Sequence, residues 1–493
     1  MSALATIESR FPVLEWRANG IDVWPLVRIR WFMRQWSIDY VSAGRNESQA
    51  RRLFNRATTL ISGPLRAYRA RQTSGAGRPE DPCDVVLWSD GVSYSHLDGR
   101  SVDRFCDPLF KALQSHRALA RIWTPSHAYP RGRLVPSAYV QPRIDRANLL
   151  GAVRARVGSA TLPEHAGVTG WLRSNDLHTE SAEVDRILSD ASRVATLAKV
   201  FGKLLVAARP RIAFVVGYYS VETMAFLLAC RRLHIASVDI QHGVQGALHP
   251  AYAAWPRPMG FVHELLPDRF WVWSEWEQQV VDAWAHGTGH GAIVGGNPWM
   301  DVWTQPNDWP MTQPSQARAS RMRSRAEGRT VVLVTLQYGF MNEEQISPLV
   351  ELVRARPDGL MFWIRLHPLM LERRDEIRQL LPANGCFELD EPTDLPLQSL
   401  LTCTDVHMTH SSSTVIEATQ FGVRSVITSR FGEELFEPLY RGGWVQTEEG
   451  GADVLAHALR NSARTRRETG SPGTDSRTQA ALHVLLGDGS LPG

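Results

Sequence analysis

The stretch DVHMTHSSSTVIEATQFGVRSVITS (residues 405–429) reads as strand, polar loop, short helix, glycine, strand. Val406 and Met408 alternate as in a strand, and His410, Ser411, Ser412 and Ser413 make the loop. Val415, Ile416, Ala418 and Phe421 follow at helical spacing, Gly422 ends the helix, and residues 425–428 form the next strand. A strand–helix–strand unit of this kind belongs to a parallel sheet. It places three hydroxyls at a helix N-terminus, where unpaired N–H groups favour an anion such as a phosphate. Glu417, one turn further on, is placed to accept hydrogen bonds from ribose or sugar hydroxyls. The plain structural alternative is a helix N-capped by serine.

Upstream, the same rhythm repeats. Residues 330–336, 360–366 and a segment near Phe387 read as strands, and 343–356, 371–381 and 395–401 as helices. The second of these strands runs into Arg365-Leu366-His367-Pro368. Proline stops the ladder and leaves His367 at the sheet edge, where an imidazole can donate to a phosphate oxygen or act as a general acid. Arg365 alternates with His367, so it is a candidate to neutralise phosphate charge. The alternative is a histidine tied to a turn carbonyl.

A first α/β region precedes this one. Strands are predicted at 84–89, 121–124, 212–216, 236–240, 270–274 and 292–294, with helices at 182–208 and 221–233. Strands alternating with helices imply two doubly wound parallel sheets, with ligands at the strand C-termini and a cleft between the two halves. The expected organisation is a helical basic and aromatic appendage (1–80), a Rossmann-like domain (81–300), a linker (301–328) within a crossing from Gly295 to Gly328 interrupted by Pro298, Pro306, Pro310 and Pro314, a second Rossmann-like domain (329–461), and a tail with a closing helix (462–493). Residues 462–475 read as disordered, and 73–82 as the first linker.

Composition narrows the classes. A net charge of +3 over 493 residues argues against a general nucleic-acid binder. The five cysteines form no CxxC pair, so neither a zinc site nor a disulfide framework is expected. There is no basic head followed by an apolar core, and no apolar run approaches the roughly 18 residues of a membrane span. A cytoplasmic location is expected. Trp24, Trp31 and Trp36 alternate with Arg28, Arg30 and Arg34, and more arginines lie between 45 and 71. Such a segment can lie on an anionic membrane surface, here the inner face; the alternative is a helix pair packed on the first domain.

RLHP (365–368) and HSSSTVIEA (410–418), with Gly422 beyond the helix, resemble the nucleotide-sugar half of GT-B-fold glycosyltransferases. More narrowly, they resemble the bacterial capsule and surface-polysaccharide group that includes polysialyltransferase-like, Kdo-transferase-like and polyol-phosphate-transferase-like enzymes. DIQHG (239–243), DGRSVDRFCDPLF (98–110) and IDVWPLVR (21–28) are similar to segments of the same group. The resemblance spans about residues 80–460. It implies that His367 contacts the donor phosphate and assists the leaving group. Ser411, Ser412 and Ser413 would hold that phosphate, and Glu417 the ribose or sugar. Preorganised donors would stabilise the charge building on the nucleotide without a metal. Gln241, His242 and Gly243 would line the acceptor or sugar site, with Gly243 permitting a sharp turn.

An inverting transfer also needs a base for the acceptor hydroxyl. Asp90 and His242 are both candidates, Asp90 slightly favoured; Asp239 is expected to point into the core. His286 and His290 have metal-like spacing, but the glycines around them oppose a helix. No metal and no cofactor are expected. The paired glutamates of retaining enzymes are absent near 433–450, and Glu433, Glu434 and Glu437 read as decorating a loop. The expected activity is sugar transfer from a nucleotide donor to a surface glycan. The alternatives are polyol-phosphate transfer, sugar-nucleotide epimerisation, and carbohydrate binding without catalysis.

Overall fold

The structure is a computed structural model, and it describes residues 2–42, 77–125, 132–154, 159–256, 260–304, 308–337, 343–383, 385–463 and 474–487. The arginines between 45 and 71, the linker up to residue 76 and the stretch 464–473 lie outside these. The chain divides into two compact units, one of Met1–Pro298 with Thr474–Gly493, the other of Trp299–Gly473.

Unit 1 is built on a seven-stranded parallel sheet: β1 (Val85–Trp88), β2 (Ala120–Thr124), β3 (Ser137–Tyr139), β4 (Ile212–Val216), β5 (Ala236–Ile240), β6 (Arg269–Val272) and β7 (Gly291–Val294), in the order β7-β6-β5-β4-β1-β2-β3. Every residue of β1 and β4 is buried, as expected of strands covered on both faces. The strand order reverses between β1 and β4, and the open C-terminal ends there are where ligands bind in such sheets.

The first residues are not an appendage. Helix α1 (Ser2–Arg10), a short antiparallel ladder (Arg17–Ala18, Ile21–Asp22, Ala160–Thr161) and helix α2 (Trp24–Ser42) pack into the unit 1 core. Trp16, Trp24 and Trp31 are buried, and Arg28 is 0 % exposed. Arg28 is paired with Glu8, donates to the carbonyls of Pro250, Ala253 and Ala254, and stacks on Trp255 at 4.2 Å. Composition does not reveal which face of a helix is covered. Here Trp24, Trp31 and Arg28, expected at a lipid surface, are interior. Among the described residues no helix is long and apolar enough to cross a membrane.

Helix α3 (Cys106–Ser115) follows β1 and a hairpin (Tyr94–Leu97, Arg100–Asp103). The long α4 (Val184–Ala208) lays Ile187, Ala191, Val194, Leu197, Phe201 and Leu204 on the sheet. Phe201 meets Trp88 of β1 with ring centroids 5.0 Å apart. Ser220 caps α5 (Val221–Arg232) by accepting from the Thr223 N–H.

Unit 2 holds a six-stranded parallel sheet: β8 (Thr330–Thr335), β9 (Leu360–Arg365), β10 (Phe387–Glu388), β11 (Val406–Thr409), β12 (Ser425–Ile427) and β13 (Val445–Thr447), in the order β10-β9-β8-β11-β12-β13. Its order reverses between β8 and β11. Helix α6 (Thr414–Gln420) follows β11 and α7 (Arg430–Leu435) follows β12, so Glu433 and Glu434 are helical; Glu437 opens the next short helix. The proline-rich linker is also largely helical, over Pro298–Thr304 and Gln313–Arg325. Pro298 and Pro314 sit in first turns, where a missing N–H costs nothing, so they start helices rather than breaking them.

The chain ends back in unit 1. In α8 (Thr474–Gly487) the buried Thr478 donates to the Gly295 carbonyl at 2.9 Å, Arg477 pairs with Glu275 at 3.0 Å, and His116 donates to Gln479 at 2.8 Å.

Candidate active site

In unit 2, Thr335 is in register with Arg365 and Thr409, and Thr409 with Ile427. Counting two residues beyond each brings Gln337, His367, Ser411 and Ser429 to one edge, spanning the reversal point. The Ser411 N–H donates to Gln337 Oε1 at 2.9 Å and its hydroxyl to the same atom at 3.0 Å. The backbone donor identifies that atom as the oxygen. With its own proton used, the Ser411 hydroxyl accepts from His410 Nδ1 at 3.0 Å, which places the His410 proton on Nδ1.

The three serines therefore differ. Ser411 is buried and its hydroxyl is committed. Ser412 closes the loop on itself, donating to Thr414 Oγ1 at 3.0 Å and accepting from the Thr414 N–H at 3.3 Å. Ser413 is exposed and makes no side-chain cap. Among the described residues the N–H groups of Ser412 and Ser413 and the Ser413 hydroxyl donate to nothing. Glu417 is half-buried and accepts from Gln398 Nε2 at 3.0 Å.

His367 is half-buried. Its Nδ1 accepts from the Leu369 N–H at 3.2 Å, so the neutral ring carries its proton on Nε2. Burial, with Arg365 second, lowers its pKa below the ordinary histidine value. Arg365 itself is a scaffold residue: Nη1 donates to the carbonyls of Pro392 (2.7 Å), Thr393 (3.2 Å) and Leu395, holding the end of the Asp390–Asp394 helix. Sequence reasoning passed over Gln337 and His407. His407 is fully buried under the site, with Nε2 on Thr335 Oγ1 (2.8 Å) and Nδ1 on Ser425 Oγ (2.9 Å), and burial drives its pKa down to about 3. A histidine in the core phase of a buried strand was the available signal.

In unit 1 the ends of β1, β4 and β5 come together at the reversal point. Asp90 follows β1. Its Oδ1 accepts from the N–H groups of Val92 (2.9 Å) and Ser93 (2.8 Å), and its Oδ2 from the Ser93 hydroxyl. The carboxylate thus closes its own turn. Beneath it, Ser89 donates to Asp103 at 2.6 Å, and the buried Arg133 donates to Asp107 at 3.0 Å and to the Tyr94 hydroxyl at 2.7 Å. Burial pushes the Asp107 carboxyl up to about 8, against the opposing charge of Arg133.

His242 follows β5. Its Nε2 is 2.8 Å from the Tyr219 hydroxyl, while its Nδ1 is sealed from solvent and faces the main chain at Ile240 without an ordinary hydrogen bond. Burial lowers its pKa, and the nearby charge of Asp90 opposes that shift. Gln241 is wholly buried: Oε1 accepts from the Trp273 N–H (2.7 Å), and Nε2 donates to the Gly243 carbonyl (2.8 Å) and to Glu277. It fastens the loop to the end of β6 and offers nothing to a ligand. Asp239 is buried as expected and accepts from the Tyr218 N–H at 3.0 Å.

Gly243 is not the glycine the turn requires, because its φ is not positive and a Cβ there would meet nothing within 4 Å. Gly217, after β4, has φ +68, and a Cβ on it would lie 3.2 Å from His242 Cε1. The bare Cα lets the imidazole lie against the main chain. His290 is no metal ligand in this conformation, since Nδ1 donates to the Pro267 carbonyl (2.7 Å) and Nε2 accepts from the His263 N–H (3.1 Å).

By sequence the chain matches no protein-family profile and no curated protein. In structure it is similar to the UDP-GlcNAc 2-epimerase of Methanocaldococcus jannaschii, with a TM-score of 0.51 and 14% identity over 82% of this chain and 99% of that one. It is less similar to the Neisseria meningitidis UDP-GlcNAc 2-epimerase bound to UDP-GlcNAc (TM-score 0.49, 14% identity, 82% and 99% covered) and to the wall teichoic acid polymerase TagF (0.38, 10%, 89% and 92%). The two parallel-sheet α/β units make a GT-B-like fold.

Proposed function

We propose that the protein is a nucleotide-sugar-dependent glycosyltransferase acting on a surface glycan, capsular or lipopolysaccharide, at the cytoplasmic side of the inner membrane. The observation that carries this reading is the donor set at the reversal point of unit 2. The Ser412 and Ser413 N–H groups and the Ser413 hydroxyl lie unused on the edge that also carries His367. Preorganised donors of this kind suit a diphosphate whose charge grows as the sugar departs. His367, neutral at pH 7 by its lowered pKa, acts as an Nε2–H donor to that phosphate rather than as a strong acid. Ser411 positions the loop, and Glu417 holds ribose or sugar hydroxyls.

The acceptor base is His242 in preference to Asp90. Both Asp90 oxygens are engaged by its own turn, whereas His242 is a neutral imidazole whose Nε2 meets a hydroxyl, that of Tyr219. The transfer is inverting, and it needs neither a metal nor a cofactor. The epimerase likeness in fold makes UDP-N-acetylglucosamine the first donor to try.

The test is a thermal-shift screen of CMP, CDP, UDP, GDP and their sugar or glycerol conjugates, on the parent and on His367→Ala. A bound ligand at 100 times its Kd adds about 2.7 kcal/mol. Stabilisation of the parent and loss in the variant supports the donor site. Nucleotide release that requires a glycan acceptor identifies a transferase; a sugar epimerised with no acceptor identifies an epimerase; no stabilisation by any nucleotide rejects the reading.

A further inference from the structure

Neither nitrogen of His242 is open to a substrate. Nδ1 is sealed from solvent, and Nε2 is taken by the Tyr219 hydroxyl at 2.8 Å. Burial, then the charges of Asp239 and Asp90, hold the Tyr219 phenol far above the ordinary tyrosine range, so it stays protonated. Burial likewise keeps His242 neutral. With the Ile240 main chain facing Nδ1, the imidazole proton is placed on that nitrogen, which leaves the phenol as the donor and Nε2 as the acceptor. Tyr219 is itself half-buried, its ring 5.9 Å from that of His249, at the first turn after β4. The imidazole also packs close to the main chain at Gly217, where a Cβ would lie 3.2 Å from its Cε1.

We propose that Tyr219 is the proton relay between an acceptor hydroxyl and His242, an inference that rests on His242 serving as the base. The acceptor O–H donates to Tyr219 Oη. As the acceptor oxygen bonds to the anomeric carbon, its proton passes to Oη and the phenol proton passes to Nε2. The bond from that carbon to the phosphate oxygen breaks, with its electron pair leaving on the nucleotide. Tyrosine is a neutral phenol before and after. Histidine ends as imidazolium and returns its proton to solvent through the Tyr219 hydroxyl. The aromatic walls of Tyr219 and His249 fit an acceptor that offers a sugar ring face beside its hydroxyl.

The test uses diethyl pyrocarbonate, which carbethoxylates an accessible neutral imidazole nitrogen, with labelling of each histidine peptide followed by mass spectrometry. In the full-length parent, His242 reacts far more slowly than the exposed His96. Tyr219→Phe keeps the ring, frees Nε2, and raises His242 labelling toward that of His96 while leaving His96 unchanged. In acceptor-dependent nucleotide release, Tyr219→Phe and His242→Gln each lose about 100-fold or more, and the double variant loses little beyond either. Equal labelling of His242 and His96 in the parent, no change in Tyr219→Phe, or full turnover by that variant would each overturn the relay. A failed nucleotide screen with the labelling result intact would overturn the transferase reading and the relay with it, leaving only the Tyr219–His242 hydrogen bond.

Discussion

Ser411 gives two hydrogen bonds, from its N–H and from its hydroxyl, to the single amide oxygen of Gln337, 74 residues earlier in the chain. This joins the ends of β8 and β11 across the point where the sheet order reverses. Gln337→Leu leaves a buried N–H without a partner and should cost about 1–3 kcal/mol in urea unfolding. Gln337→Glu keeps both bonds but places a negative charge at the proposed phosphate edge. Near-parental unfolding with lost nucleotide stabilisation is expected of it. Unchanged nucleotide binding in Gln337→Glu would place the phosphate elsewhere.

Two glycines beside His242 should behave oppositely. Gly217→Ala meets both a left-handed backbone and the imidazole at 3.2 Å, and a loss of about 1–3 kcal/mol is expected. Gly243→Ala meets nothing within 4 Å and should stay within about 0.5 kcal/mol of the parent. Equal melting temperatures for the two variants would show that the turn is misassigned.

Arg28 is a buried cation with one carboxylate partner. Arg28→Met leaves the Glu8 carboxylate with only the Trp24 indole N–H and takes the donor from three carbonyls, an expected loss of about 3–5 kcal/mol. Adding Glu8→Gln removes the stranded charge and should recover part of it. A surface role for Arg28 would instead leave stability unchanged and alter vesicle binding.

Glu277, fully buried against Gln241 and Ser274, is pushed up to about 7 by that burial. A carboxyl raised in the folded state binds more protons folded than unfolded. Its contribution is complete below pH 4.5 and is lost as the pH rises to about 7. Glu277→Gln should flatten this part of the stability profile, by an amount on the order of 1–3 kcal/mol. A profile parallel to the parent's through that window would show the group to be ionised throughout.

The alternation of strands and helices was legible because each element carries its own period: β4, α5 and β5 fall where apolar spacing puts them. The strand–loop–helix at His410 was equally plain. What the sequence could not show is where a side chain's partner lies. Arg365 and His367 look alike as edge cations, yet Arg365 is spent on carbonyls near residue 393, and Gln241 on Glu277. Gln337 precedes its partner by 74 residues, so no local pattern marks it. The prolines misled for a different reason, since Pro298 and Pro314 obstruct a helix interior but suit its first turn.

The last helix bears on how the chain is made. Synthesis delivers all of Trp299–Gly473 before α8, so unit 2 has its whole sequence while unit 1 still lacks the segment whose Thr478 meets Gly295. The first unit to begin folding is then the last to be completed, and it waits on the ribosome with its β7 edge uncovered. A stop codon after residue 473 would spare every residue of unit 2 and leave the damage in the half that was translated first.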